Sequence, residues 1–200
     1  MTNTQEIIDE FDKLTDDMSE LSTAQKLALA ERKYRDVLND RDWEFLRSTA
    51  TVTIASGEIA IPSDFRNFAE NNKTKYRFGF WIGDSFYPVV NMQERRTRTD
   101  LSYYDARNSK IVLADGLSLN GQSASFDYFY KPDALTVGTA PVFRSDFRKI
   151  ISYMMATEHY LIDHTEKGRS QREEYKELAQ DVLEDMQYED DQLKEDWLTH

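Results

Sequence analysis

The sequence predicts an α+β protein in which N- and C-terminal helices pack as a bundle with a central, mainly antiparallel β-sheet insertion. Three observations predict it. Apolar residues recur at three- and four-residue spacings before about Asn39 and again after Pro141. Between those limits apolar residues alternate with polar ones, the period of a half-buried strand. Turn pairs, Ser56-Gly57, Gly83-Asp84 and Asp115-Gly116, punctuate the alternating stretch. The expected division assigns residues 1–48 and 141–187 to one helical bundle, 49–140 to the β region, and 188–200 to a flexible acidic tail.

Each element has a local reason. Ile7, Ile8, Phe11, Leu14 and Met18 lie on one face of a helix expected over 4–18, with an acidic opposite face. Ser22 and Gln25 form a capping box, and Leu27, Ala30, Tyr34, Val37 and Leu38 continue a second helix to about Asn39. Trp43, Phe45 and Leu46 follow it. Burying each contributes roughly 2 kcal/mol, so they read as a core pin between helices and sheet.

Val52 and Ile54 alternate with Thr51 and Thr53, turn at Ser56-Gly57, and return through Ile59 and Ile61 to Pro62. Proline donates no ladder hydrogen bond and ends that strand. Asn71-Asn72-Lys73 reads as a loop. Tyr76 to Ile82 and Phe86 to Val90 form a second hairpin about Gly83-Asp84. Residues 91–108 read as a short helix or long loop. Ile111 with Leu113, and Phe126 to Tyr130, supply the last strands. Pro141 and Ser145 introduce a third helix with a stripe of Phe147, Ile150, Ile151, Met154 and Leu161. Gly168 interrupts, and Ser170 with Glu173 caps a fourth helix through Met186. From Tyr188 the pattern fails, and an acidic segment containing Trp197 and Leu198 is expected to be disordered in isolation.

Composition narrows the function. Across 200 residues, 37 acids against 25 bases give a net charge of −12, which disfavours general affinity for a nucleic-acid backbone. Cysteine is absent, which removes disulfides, thiolate metal sites and thiol nucleophiles and suits a reducing cytoplasm. The N-terminus lacks the basic start and apolar run of a signal peptide. No apolar run approaches bilayer-spanning length.

Candidate chemistry is sparse. His159 and Asp163 share a helix face, but two ligands fall short of a zinc set. No G-x-S-x-G, P-loop, G-x-G-x-x-G or H-E-x-x-H occurs. The sequence therefore offers no catalytic, cofactor-binding or metal residues and reads as a non-enzyme. Arg95, Arg96 and Arg98 form the one compact basic cluster. It is either a contact for phosphate or for an acidic neighbouring subunit, or a solvated face balanced by Glu94 and Asp100. Tyr76, Phe78, Phe80 and Trp81 leave open a carbohydrate- or peptide-binding module, which requires a row of exposed aromatics. Trp197 and Leu198 suit a docking segment, because Trp is enriched in binding hot spots.

Two motifs carry a resemblance. DWEFLRSTATVTIASGEIAIPSDF, residues 42–65, and YFYKPDALTVGTAPVFRSDF, residues 128–147, are similar in pattern and order to head-to-tail adaptor (head-completion) proteins of tailed bacteriophages. The resemblance covers residues 22 to about 187. It implies a structural virion protein of the neck, assembled in the host cytoplasm, forming a ring of usually twelve copies below the portal protein. Such a ring extends the DNA channel and offers a platform to a tail or nozzle protein, while double-stranded DNA passes without specific binding. It implies no cofactor and no membrane, and gives Trp197 and Leu198 a place on the portal. A tail-tube or gatekeeper role in the same neck is the neighbouring reading.

Overall fold

A computed structural model describes residues 3–16, 20–70, 76–161 and 165–199, with side chains to residue 195. The chain divides into two compact units. The helical unit comprises Met1–Phe45 with Asp133–His200, and the β unit comprises Leu46–Pro132. Among the described residues there are five α-helices and eight strands.

In the helical unit, α1 spans Thr4–Leu14. The Asn3 side chain accepts from the Glu6 N–H, which satisfies one of the orphan donors at the helix start. Thr4 ties that end to the loop around Thr139 by donating its N–H (2.8 Å) and its hydroxyl (2.7 Å) to the Thr139 carbonyl. The helix is shorter than the expected 4–18, ending at a Thr15 C-cap. Met18 lies outside the described residues. At this end the Leu14 carbonyl accepts hydroxyl hydrogen bonds from Tyr160 (3.3 Å) and Tyr175 (3.0 Å). The second helix, α2 (Thr23–Asp40), opens on the expected Ser22–Gln25 capping box, with both reciprocal bonds formed.

The fourth helix, α4 (Lys149–His159), packs against α1, α2 and α5 (Glu166–Thr199). Being covered on several sides explains why its buried set is Ile150, Ile151, Ser152, Met155 and Ala156 rather than the single expected stripe. Met154 is half-buried and Leu161 is 53% exposed. Buried Ser152 donates to the Ile7 carbonyl at 3.0 Å, so the polar atom in this core is satisfied.

Two expectations fail at α5. Ser170 does not cap it, because the helix begins four residues earlier. Thr165 accepts the Gly168 N–H at 3.0 Å and its carbonyl takes the Arg169 N–H, so Gly168 sits inside the first turn. The expected tail is also corrected, since α5 continues through 188–199 as helix. Glu, Gln, Lys, Leu and Met tolerate helical geometry well, and polar contacts described below hold the helix at Gln187–Asp191.

The β unit is a barrel-like sheet rather than a plain insertion layer. Strand order is β1-β8-β4-β5-β6-β7-β2, with β3 also on β8. The strands are β1 Arg47–Thr53, β2 Glu58–Ala60, β3 Phe65–Phe68, β4 Gly79–Ile82, β5 Ser85–Val90, β6 Ser102–Asp105, β7 Lys110–Val112 and β8 Ser123–Tyr130. All named pairings are antiparallel except β5 with β6. Ser56 (φ 54°) and Gly57 (φ 74°) make the turn expected between β1 and β2. The two strands then separate. Only the Ala55–Glu58 bridge joins them, while β1 pairs with β8 and β2 with β7. That bridge brings the two ends of the strand order together and gives the barrel character.

Two strands have no counterpart in the sequence reading. The Phe65–Phe68 run in β3 and the Ser102–Asp105 run in β6 show no clean alternation, because most of their residues are half-buried. The short helix α3 (Met92–Arg95) is capped by Asn91, whose side chain accepts from the Gln93 and Glu94 N–H groups. Gly79 has a steric reason. A Cβ there would lie 2.3 Å from the Phe86 ring and 2.5 Å from the Tyr87 carbonyl.

The interior of the β unit is apolar and aromatic. Ile54, Ile59, Phe80, Ile111, Ala124 and Phe126 are essentially inaccessible. Phe80 stacks on Tyr87 at 5.2 Å. Here the two sequence motifs meet. Phe65 pairs with Tyr130 across β3 and β8 and stacks on Tyr128 at 6.0 Å. Asp64 accepts the Tyr128 hydroxyl hydrogen bond at 3.2 Å, and its carbonyl accepts the Lys131 N–H.

Candidate functional site

The Asp-Trp-x-Phe-Leu segment forms the corner after α2. The last four carbonyls of a helix lack internal partners, and fully buried Trp43 donates its indole N–H to one of them, Val37, at 2.8 Å. Its ring stacks on Phe45 at 5.4 Å, and Phe45 meets Phe143 at 6.2 Å. Trp43 and Phe45 thus have their ring partners inside the helical unit. Leu46 is fully buried where the β unit begins.

Asp190 holds the same corner from α5. One carboxylate oxygen accepts the Glu44 N–H at 2.6 Å. The other is buried without a hydrogen-bond partner, 3.7 Å from the Arg41 guanidinium. Burial pushes the Asp190 carboxyl above the usual range, because water is removed from its charged form. Around it Gln187 donates to Asp40 at 3.0 Å, Arg41 pairs with Asp191 at 2.5 Å, and Arg144 pairs with Glu189. Sequence reading overlooked Asp190, although the signal was present: it sits four residues after buried Met186, on the apolar stripe of α5. Trp197 and Leu198 follow on the last turn, and their side chains lie outside the described residues.

The arginine cluster is divided rather than convergent. Arg95 turns to Asp115 (3.0 Å) and lies 5.7 Å over the Tyr103 ring. Arg98 takes Asp100 through two 3.2 Å hydrogen bonds. Asp100, and then Tyr76, hold the Arg98 guanidinium above its ordinary range, while the hydrogen bond from Arg98 lowers the Asp100 carboxyl. Arg96 is exposed. Of the balancing acids expected, Asp100 serves, and Asp115 takes the place assigned to Glu94.

The row of aromatics required for a carbohydrate- or peptide-binding face does not form. Phe80 is fully buried, and Trp81, on the other face of β4, packs at 5.0 Å on Phe86. His159 lies edge-on to Phe11 at 6.1 Å and to Tyr160 at 5.0 Å. Asp163 and His164 fall outside the described residues. Among the described residues, no group of three or more His, Cys, Asp or Glu is placed to hold a metal ion. No described helix is long and apolar enough to cross a membrane.

The helical unit does contain a cleft of about 410 Å³ between α2, α4 and α5. Its apolar lining is Val37, Ile150, Met154, Leu161, Ala179 and Leu183. The α2 wall adds Lys33, Asp36 and Asp40, and the α5 wall adds Arg172 and Lys176. Lys33 is neutralised by Glu158 at 2.8 Å. Burial pushes the Glu158 carboxyl up, but Lys33 and then Arg32 outweigh that and leave it lowered. The Nε of Arg172 is buried and has no hydrogen-bond partner.

The helical unit thus combines a corner of packed aromatics after α2 with an open, largely apolar cleft. The chain belongs to the SU10 adaptor protein family, whose model matches residues 2–197. It is therefore a bacteriophage adaptor, a structural protein of the virion. No curated protein matches the chain.

Proposed function

We propose that this adaptor forms a ring of identical subunits, twelve by analogy with similar proteins, docked below the portal protein. The ring extends the DNA channel and gives a tail or nozzle protein its attachment platform. The observation that carries this reading is the family match, which spans both units and nearly the whole chain. The net charge of −12 supports it, because an acidic lumen repels the phosphate backbone and lets the genome slide. Subunit contacts in such a ring are heterologous, each copy using two different surfaces. Exposed Arg96, in the stretch that also holds Arg95 and Arg98, is one contact for an acidic neighbour. Trp43, Phe45 and Leu46 act as the core pin of the corner after α2. Assembly takes place in the host cytoplasm, and the finished ring sits in the virion neck.

The test is light scattering of the purified protein with and without its cognate portal. The expected outcome is a monomer or loose association alone and a ring-sized complex with the portal. Failure to associate with that portal overturns the reading.

A further inference from the structure

Strand β1 stands at one end of the strand order, and one of its edges is open. The hydrogen bonds at its C-terminal end fix which edge. Ile54 donates to the Gln122 carbonyl at 2.9 Å and accepts from the Gly121 N–H at 2.9 Å. In the register that pairs Thr53 with Ser123 and Arg47 with Phe129, backbone groups then alternate in direction along an antiparallel strand. Those of Ser48, Ala50, Val52 and Ile54 point to β8, and those of Thr49, Thr51 and Thr53 point the other way. Among the described residues, the pairing on that side is the Ala55–Glu58 bridge, which lies past Thr53. Thr49, Thr51 and Thr53 are exposed.

Open edges are normally blunted by Lys, Pro, a bulge or a very short strand. None of these protects β1. It is seven residues long, its register with β8 is unbroken, and residues 48–53 contain neither a charge nor Pro. Its Thr and Val residues favour the extended state. The surroundings are close to neutral in a chain of net charge −12. Residues 48–57, and residues 116–126 leading into β8, carry no charged side chain. Asp127, the one carboxylate of β8, accepts from the Thr49 hydroxyl at 2.6 Å and lies 3.7 Å from Arg47. Glu58 is paired with Lys110 at 2.5 Å. Copies of an acidic chain repel one another, and this edge lets them meet without opposing free carboxylates.

Such an edge is complementary to a second copy of itself. β1 covers Arg47–Thr53 and is centred on Ala50, so an antiparallel copy related by a two-fold axis at Ala50 overlaps its whole length. Thr49 then exchanges N–H···O=C bonds with Thr51 of the second copy, and Thr51 with its Thr49. The outer-face side chains pair Thr with Thr, a favourable cross-strand combination. Arg47 comes opposite Thr53 of the second copy, so like charges do not meet.

We propose that two copies of this chain join through their β1 edges, antiparallel about Ala50, so that β8 and β1 of one continue into β1 and β8 of the other. The contact is isologous and closes at two copies. It goes beyond the ring reading and does not depend on portal docking.

The experiment measures the oligomeric state of the full chain by sedimentation velocity over a range of concentrations, with residue-resolved amide exchange by NMR at both ends of that range. The expected result is a reversible monomer–dimer equilibrium. The Thr49, Thr51 and Thr53 amides exchange fast in dilute protein and are protected in concentrated protein, whereas those of Ala50 and Val52 are protected in both. Thr51→Pro removes an outward N–H without touching the β8 ladder, as edge strands allow, and abolishes the dimer. Thr51→Lys blunts the edge and abolishes it too, while Thr51→Val keeps the backbone and the dimer. Unchanged thermal midpoints verify the variants; if Thr51→Pro lowers its midpoint, Thr51→Lys and the exchange pattern decide. A monomer at every concentration, association beyond two copies, a dimer that survives Thr51→Lys, or a dimer without the alternating protection overturns the proposal. Portal association is read separately by light scattering, so either reading can fail without the other.

Discussion

Trp43 and Asp190 show how single residues secure the corner after α2. Trp43 contributes both a large buried ring and the donor that satisfies Val37. Trp43→Ala is expected to cost about 3–5 kcal/mol by opening a cavity. Trp43→Phe keeps most of the ring volume but leaves the carbonyl without that donor, at about 1–3 kcal/mol. Urea unfolding of both variants checks the order; a Phe variant as damaged as the Ala variant would show that the indole N–H is secondary. Asp190 behaves differently. Its folded pKa is raised by burial, so the native state holds a proton more tightly than the unfolded chain. Stability from this group is therefore greatest at low pH and is lost as pH rises from the ordinary carboxyl range, about 3.9, through the raised folded value. Asp190→Asn retains an acceptor for the Glu44 N–H and removes that slope. The stability of the Asn variant relative to wild type is expected to grow between about pH 4 and neutrality. A constant difference across that range in urea melts would contradict the assignment.

Among elements, α5 is the one whose role changes most. It serves as a core helix through Met186, is clasped at Gln187–Asp191 by Asp40, Arg41, Glu44 and Arg144, and is exposed beyond. Two truncations separate these parts. Removing 192–200 leaves every clasp contact and is expected to keep the thermal midpoint within about 2 °C. Removing 189–200 deletes Glu189, Asp190 and Asp191 and leaves the Glu44 N–H unpaired, at roughly 1–3 kcal/mol, or several degrees for a chain of this size. Differential scanning fluorimetry on the two proteins distinguishes them; equal midpoints would mean that the clasp adds nothing. In the β unit the comparable element is the pair β3–β8, where Asp64 and Phe65 meet Tyr128, Tyr130 and Lys131. Residues separated by more than sixty positions in sequence share one hydrogen-bonded corner there.

For the whole molecule, two compact units with their own buried cores suit a building block of a larger assembly. The family match supplies the setting, that of a bacteriophage adaptor. The portal light-scattering measurement belongs at this scale, because it reads the assembly rather than any residue within it. Much of the architecture was legible beforehand. The capping box at Ser22, the turns at Gly57, Gly83 and Gly116, and the long apolar stripes are local signals, set by spacing and backbone geometry. The candidate surfaces were less legible. The arginine cluster looked like one patch, yet its members turn to Asp115 and Asp100 separately.

By itself the sequence determined the α+β class, the capped start of α2, the turns at Gly57 and Gly83 and, through two ordered motifs, the adaptor family. These depend on neighbours within a few residues, where propensity, capping and periodicity act. Tertiary structure alone decided that β1 leaves its hairpin partner for β8, that β3 and β6 are strands, and that the strand order draws round into a barrel-like sheet. It alone decided that Asp190 is buried and that Arg172 faces an open cleft. The reason is physical: strand pairing and burial depend on residues tens of positions apart, whose proximity is paid for by the whole core and leaves no periodic trace in the chain.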